Sequence, residues 1–154
     1  MRAEYFNPFI SATVEVFRTM LGCELTRGQL GLKSDSSPAF EVSGMIGISG
    51  GMHGMVVVSL SRETAISATE KMLGERPDTL NGDVTDAVGE IANMIAGAAK
   101  TKFGSSALSI GLPTVVCGEN HQVTFPSQST PMTLPFDSDL GSISVEIGLA
   151  ESAC

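Results

Sequence analysis

One stretch of the sequence decides the fold class: Val42-Ser43-Gly44-Met45-Ile46-Gly47-Ile48-Ser49-Gly50-Gly51-Met52-His53-Gly54-Met55-Val56-Val57-Val58-Ser59-Leu60. From Val42 to Ile48, apolar residues and glycine alternate with serine and glycine, as expected for an extended strand. The glycine-rich segment Ser49–Gly54 then leads into the apolar run Met55–Leu60. Two extended segments around a glycine-rich turn predict a β-hairpin. Because both segments carry apolar residues on both faces in places, we expect them to lie in the centre of a sheet.

A helix is predicted on the N-terminal side of this hairpin. Apolar residues recur there at spacings of three or four: Phe6, Ile10, Val14, Phe17 and Leu21. We predict that Asn7 caps the helix with Pro8 in its first position, although a start near Arg2 is an alternative. Gly22 is placed to end the helix. A strand-like segment, Leu25–Lys33, follows.

Two more helices and several strands are predicted after the hairpin. The second helix spans about Ser61–Leu73, between a capping Ser61 and a terminating Gly74, and the third spans about Asp83–Phe103. The later strand segments are Thr114–Cys117, Gln122–Phe125, Thr130–Phe136 and Ile143–Leu149. Prolines in the third of these favour an edge or irregular strand, and strict alternation in the last predicts a half-buried strand. Helices and hairpins mix without a regular β-α-β order, so we predict an α+β fold with a largely antiparallel sheet packed against two or three helices.

Composition narrows the classes of function. The chain has 154 residues, a length that fits one domain spanning 1–154, and 42% of them are hydrophobic, enough for a core. Its 17 acidic and 9 basic residues give a formal net charge of -8, which argues against nucleic acid or an anionic membrane as partner. No segment has the roughly 18 apolar residues of a membrane span, and the N-terminal sequence does not resemble a signal peptide. We therefore expect a cytoplasmic protein.

Cysteine and histidine offer little material for metal or nucleophilic chemistry. Cys23, Cys117 and Cys154 are widely spaced, and we expect buried or incidental thiols rather than disulfides or a zinc site. His53 and His121 lie in turn-like sequence, and we expect them to be surface residues of turns. No glycine-rich nucleotide fingerprint occurs. We therefore predict that this chain binds no metal and no cofactor.

The third predicted helix has a polar stripe opposite its apolar face. The members of this polar stripe step by three and four residues: Asp83, Asp86, Glu90, Asn93, Gly97 and Lys100. Glu90 and Asn93 are three residues apart and project side by side. Gly89 and Gly97 lie near them, and each glycine inside a helix costs about 1 kcal/mol relative to alanine. Close approach of another backbone, from this chain or from a partner, would explain why the glycines are there.

A polar stripe on an amphipathic helix is most often its solvated face, and a Glu-x-x-Asn pair is a weak motif by itself. A second copy, Glu4-Tyr5-Phe6-Asn7, occurs at the N-terminus, where its asparagine precedes a proline, and we interpret that copy as accidental. The residues around Glu90 and Asn93 favour a function for this pair.

The stretch Asp86-Ala87-Val88-Gly89-Glu90-Ile91-Ala92-Asn93-Met94-Ile95-Ala96-Gly97 resembles the signature of the CheC/CheX/FliY family of chemotaxis phosphatases. That signature has Asp or Ser, three residues, Glu, two residues and Asn, with a proline further on. Asp86, Glu90 and Asn93 match it, and Pro113 lies about where the distal proline belongs. Since a CheC protein carries two copies of the motif and this chain has one credible copy, it is more similar to the CheX branch.

The resemblance implies an enzyme that hydrolyses the aspartyl phosphate of a CheY-type response regulator. It implies catalytic roles for Glu90, which would dock on a lysine of the regulator, and for Asn93, which would orient the attacking water. A carboxamide suits this task because it both donates and accepts hydrogen bonds. The resemblance implies that the regulator supplies its own Mg²⁺ and lysine, so that this chain needs neither a metal nor a covalent phosphoenzyme.

The resemblance leaves several further expectations. Asp86, Gly97 and Lys100 would be auxiliary residues on the same helix face, with Asp86 supporting or capping the first turns. Because a regulator's phosphorylation pocket is rich in carboxylates and this chain is acidic, Lys100 and Lys102 would relieve repulsion locally. By resemblance to CheX we expect a homodimer, with apolar strands that could pair across an edge. The alternative function is a non-catalytic adaptor or flagellar-switch-like module that binds the regulator.

Overall fold

The structure, a computed structural model, describes residues 3–103, 108–126 and 130–152. Three helices and eight strands occur in these ranges. In chain order they are α1 (Ala3–Leu21), β1 (Thr26–Arg27), β2 (Gly31–Leu32), β3 (Val42–Gly50), β4 (Met52–Leu60), α2 (Arg62–Leu73), α3 (Gly82–Lys102), β5 (Leu108–Ile110), β6 (Thr114–Cys117), β7 (Met132–Ser138) and β8 (Gly141–Glu151). The predicted α+β class is confirmed. None of the described helices is long and apolar enough to cross a membrane.

All eight strands belong to one antiparallel sheet with the order β1-β7-β8-β4-β3-β5. The short β2 pairs with β7, and β6 pairs with β3. The predicted hairpin is β3–β4, and it lies in the centre of the sheet because β3 also pairs with β5 and β6 and β4 with β8. Its turn is tighter than the predicted Ser49–Gly54, since β3 runs to Gly50 and β4 begins at Met52.

Glycine at position 54 is required by the neighbouring strand. Gly54 has a φ of +153°, and a Cβ there would lie 1.9 Å from the backbone oxygen of Gly148 on β8. Gly54 therefore has a packing role besides its place next to the turn. Gly54 lets two inner strands approach each other at the end of the hairpin.

The helices cover one face of the sheet, and α3 packs against α1, α2 and β3. Gly44 on β3 makes the closest part of this contact, because a Cβ there would lie 3.2 Å from side-chain carbons of both Val88 and Ala92 on α3. The largest fully buried apolar side chains are Phe9, Phe17, Phe136, Ile46, Leu60, Ile91, Ile95, Leu134, Ile143, Ile147 and Val42. They come from helices and strands alike, so this core fixes α3 against the sheet.

The opposite face of the sheet is also covered, which makes the half-buried prediction for the last strand wrong. Ser144 and Glu146 on β8 are 2% and 1% exposed. Two irregular segments, 33–41 and 118–126, lie over this face: the backbone N–H of Val123 donates to Ser36 O (2.7 Å), and that of Phe40 donates to Ser59 Oγ (2.9 Å). Alternation along one strand cannot reveal such a cover, because the covering residues are distant in sequence.

The first helix begins earlier than its strongest local signal suggested. Asn7 and Pro8 lie inside α1, which begins at Ala3, so the predicted cap at Asn7 is wrong and the alternative start near Arg2 is closer. Phe6 is 3% exposed and belongs to the core. Burial of this ring favours a helix that extends past the proline, and it offsets the cost of Pro8, which lies beyond the first turn and has no N–H to donate within the helix.

The other strand predictions were confirmed in part. Thr114–Cys117 is a strand, as predicted, and β7 begins two residues later than expected. Gln122–Phe125 was predicted to be a strand but has no strand structure, because it lies over the sheet instead of within it. Leu25–Lys33 contains only the two-residue strands β1 and β2. They leave β7 near the edge of the sheet, as its prolines predicted.

Candidate active site on the third helix

The helix with the polar stripe is α3, and local signals at its N-terminus fix where it begins. Asn81 is the N-cap, and its side-chain Oδ1 accepts a hydrogen bond from the backbone N–H of Val84 (3.2 Å). Of the two roles predicted for Asp86, capping is therefore wrong, whereas support of the first turns stays a prediction. Asp86 lies more than one turn inside the helix and is exposed, and its side chain makes no hydrogen bond within the described ranges.

The two faces of α3 separate as the periodicity predicted. The apolar face is buried and comprises Val84, Ala87, Val88, Ile91, Ala92, Ile95, Ala96 and Ala99. On the polar stripe, Asp83, Asp86 and Glu90 are exposed, whereas Asn93, Gly97 and Lys100 are half-buried. The stripe therefore has an acidic N-terminal end, a neutral middle and a basic C-terminal end.

Glu90 and Asn93 lie side by side on this stripe. Three residues of helix separate them by a rise of about 4.5 Å. Neither side chain hydrogen-bonds or forms an ion pair with any residue that the structure describes. A carboxylate and a carboxamide held on a rigid helix without internal partners are free to bind groups of another molecule.

An open groove of about 510 Å³ borders Glu90. Its lining combines α3 with the segment around β6: Thr85, Asp86, Gly89, Glu90, Pro113 and Val115. The structure thus brings Pro113, which the resemblance matched to the distal proline of the signature, to the same groove as Glu90. Thr85 and Val115 were not predicted, because nothing in the local sequence shows that β6 lies beside α3.

The helix glycines have different surroundings. A Cβ at Gly89 would make ordinary contacts with Val115 (3.4 Å) and Pro113 (3.5 Å), whereas a Cβ at Gly97 would meet no described atom within 4 Å. The predicted close approach within this chain therefore does not explain either glycine. The close approach to α3 occurs instead at Gly44, on the facing strand.

One of the two lysines near the stripe is already paired. The ammonium of Lys102 lies 2.9 Å from the carboxylate of Glu15 on α1 in an exposed ion pair, which another carboxylate could replace at little cost, so the role of Lys102 stays a prediction. Lys100 forms no ion pair with any described residue. It remains the cation that the stripe can offer to another molecule.

The histidines and cysteines are the other residues whose side chains could take part in catalysis. His121 is half-buried: its Nδ1 donates to Gly118 O (2.6 Å), and its Nε2 lies 2.8 Å from Ser43 Oγ. His53 lies in β4. The prediction that both histidines are surface residues of turns is therefore wrong. Cys23 is buried and Cys117 exposed, both as free thiols, and Cys154 lies outside the described residues. Although Cys117 is exposed as a residue, partial desolvation of its sulfur and the nearby Glu41 raise the pKa of the thiol. The described residues contain no group of three potential metal ligands.

Comparison with known proteins identifies the family. Residues 42–137 match the family described as chemotaxis phosphatase CheX. The chain is 32% identical over 126 residues to the CheY-P phosphatase CheX of Thermotoga maritima, covering 80% of this chain and 81% of that protein. This protein belongs to the CheX family.

Solved structures share both sequence and fold with it. A CheC-like superfamily protein from Shewanella sp. PV-4 has a TM-score of 0.88 and 33% identity, covering 97% of this chain and 99% of that chain. The CheX–CheY–BeF3–Mg complex from Borrelia burgdorferi matches with a TM-score of 0.82 and 29% identity, covering 97% of this chain and 100% of that chain. These matches extend over the whole α+β fold described above.

Proposed function

We propose that this protein is a phosphatase that hydrolyses the aspartyl phosphate of a CheY-type response regulator. The observation that carries the proposal is the pair Glu90 and Asn93, which lie side by side and without internal partners on a rigid helix of a CheX-family fold. A relative named as a CheY-P phosphatase and a solved CheX–CheY complex support it.

The reaction makes modest demands on the enzyme. Water attacks the phosphorus of the acyl phosphate, the phosphorus–oxygen bond to the aspartyl carboxylate breaks, and inorganic phosphate leaves. Because an acyl phosphate is already activated, catalysis needs mainly an in-line water and charge stabilisation. The Asn93 amide orients this water because its oxygen can accept a hydrogen bond from the water and its NH2 can donate one to the water oxygen. Asn93 does not act as a base.

Glu90 fixes the position of Asn93 relative to the phosphorus. Its exposed carboxylate pairs with the lysine of the regulator's active site, one helical turn from the amide. The gain comes from orientation, and effective molarities of well-oriented groups show that orientation alone can supply several kcal/mol. Mg²⁺ belongs to the regulator's site, and the proposal assigns no cofactor to this chain.

The proposal also bears on location and assembly. It places the protein in the cytoplasm, where free thiols such as those of Cys23 and Cys117 remain reduced. The homodimer stays a prediction from the resemblance. The glycine-rich hairpin strands β3 and β4 are inner strands of the sheet, so any edge pairing between protomers would use other strands. Sedimentation at micromolar concentration tests the dimer.

The test of the proposed function uses a regulator from the same organism. The regulator is phosphorylated with a small-molecule donor, the donor is removed, and phosphate release is followed with and without a catalytic amount of this protein. We expect faster release with multiple turnovers. Binding of the regulator without any acceleration would instead indicate the adaptor.

A further inference from the structure

Gly97 lies in the interior of α3, and no contact within the described part of this chain requires a glycine there. It has no positive φ, and a Cβ built on it would meet no described atom within 4 Å. Gly44 and Gly54, in contrast, prevent collisions within the fold. Since glycine in a helix interior is unfavourable relative to alanine, a contact outside this chain would account for Gly97.

The position of Gly97 relates it directly to Asn93. The two residues are four apart on the polar stripe, so they occupy the same face of α3 with a rise of about 6 Å between them. Helical side chains point back toward the N-terminus, so a side chain at position 97 would cover the surface next to Asn93. Glycine leaves that surface open, and Asn93 is itself half-buried. A partner must therefore come close to the helix backbone to reach the amide.

The charge beside Gly97 indicates what kind of partner fits. Lys100 lies three residues further along the stripe and has no ion pair with any described residue. Its ammonium is complementary to a partner that carries carboxylates or a phosphoryl group near the contact. The acidic phosphorylation pocket of a response regulator meets this requirement.

We propose that Gly97 is a clearance position that lets a main-chain segment of the phosphorylated regulator lie directly against α3 beside Asn93. The inference rests on the proposed function, and it extends the contact surface from the Glu90/Asn93 pair to Lys100. A side chain at position 97 would hold the regulator away from the helix, and the water held by Asn93 would lose its alignment with the phosphorus.

The test compares Gly97→Ala and Gly97→Leu with Gly82→Ala and Gly82→Leu. Gly82 is the matched control because it is exposed, lies at the start of α3, and also has no described atom within 4 Å of a Cβ. We expect Gly97→Ala to raise the melting temperature by about 2–4 °C. For Gly97→Leu we expect kcat/KM for dephosphorylation to fall about 100-fold, since misplacement by 1 Å can cost that much. The Gly82 variants should keep wild-type kinetics.

Several readouts keep the two proposals apart. If the wild type fails to accelerate phosphate release, the proposed function fails. If the wild type is active and folded Gly97→Leu is equally active, the clearance proposal is overturned while the proposed function stands. Binding of the beryllofluoride-activated regulator should weaken in Gly97→Leu but not in Gly82→Leu. A shift from dimer to monomer in Gly97→Leu, seen by sedimentation, would also overturn the proposal, because a second copy would then be the occupant.

Discussion

The ring of Pro113 lies against Gly89, the residue that precedes Glu90 on α3. A Cβ at position 89 would lie 3.5 Å from Cγ of Pro113 and 3.4 Å from Cγ2 of Val115. This contact joins β6 and the residues before it to the helix, and it forms one wall of the groove beside Glu90. The glycine and the proline are 24 positions apart in sequence, and they meet because β6 pairs with β3, on which α3 also packs.

Side chains of increasing size at position 89 test this packing. Gly89→Ala places a methyl group at ordinary contact distance and removes a helix glycine, so we expect the free energy of unfolding to rise by up to about 1 kcal/mol. Gly89→Leu must displace Pro113 or Val115, and we expect a loss of about 1–3 kcal/mol. Urea denaturation measures both. Equal stability of the leucine variant and the wild type would show that the wall of the groove is not packed as described.

A matched pair of glycines on β3 tests the contact between helix and sheet. Gly44→Ala would bring a methyl group to 3.2 Å from carbons of Val88 and Ala92 and to 3.3 Å from the backbone oxygen of Val88. We expect it to lower the free energy of unfolding by about 1–3 kcal/mol. Gly47→Ala is the control on the same strand, since a Cβ there meets no described atom within 4 Å. Similar stability of the two variants would contradict the close approach of α3 to β3.

A buried ion pair between Lys33 and Glu146 anchors the segment that covers the far face of the sheet. The two side chains are 7% and 1% exposed, and Oε1 of Glu146 has no hydrogen-bond partner among the described residues. We expect Lys33→Met to lose about 3–5 kcal/mol at neutral pH, because it leaves a buried carboxylate without a cation. The double variant Lys33→Met/Glu146→Leu should be close to the wild type or more stable. Chemical denaturation of the single and double variants measures the coupling, and a double variant as unstable as the single would contradict it.

The same pair predicts how stability depends on pH. Burial raises the pKa of Glu146, an effect that the hydrogen bond and charge of Lys33 reduce and that Asp35 reinforces. With its pKa raised in the folded state, Glu146 contributes stability that is present below its unfolded pKa and is lost as pH rises through the folded pKa. Lys33→Met should therefore regain stability as pH is lowered from 7 toward the ordinary pKa of glutamate. Melting curves at a series of pH values show this, and Lys33→Met/Glu146→Leu, which lacks both groups, should not regain it.

Local signals predicted those elements whose ends are set by short-range contacts. The N–H of Thr64 donates to Ser61 Oγ, and Gly74 adopts a left-handed conformation after α2, as their positions predicted. The periodicity of α3 likewise placed Glu90 and Asn93 on one polar stripe. Local signals failed where contacts with residues distant in sequence determine the structure. Burial of Phe6 shifts the start of α1, and cover by segments 33–41 and 118–126 buries Glu146. Val115 reaches the site through strand pairing that no nearby residue reveals.

The most direct measurement is the rate of regulator dephosphorylation with Asn93→Ala and Glu90→Ala. We predict that Asn93→Ala lowers kcat by about 100-fold or more with little change in KM, because it removes the group that orients water. Glu90→Ala should also raise KM, since it removes a docking contact. Asn120→Ala and Glu119→Ala, exposed changes of the same type in the turn after β6, serve as controls and should match the wild type. If folded Asn93→Ala dephosphorylates the regulator as fast as the wild type, the assignment of the site to this pair is wrong.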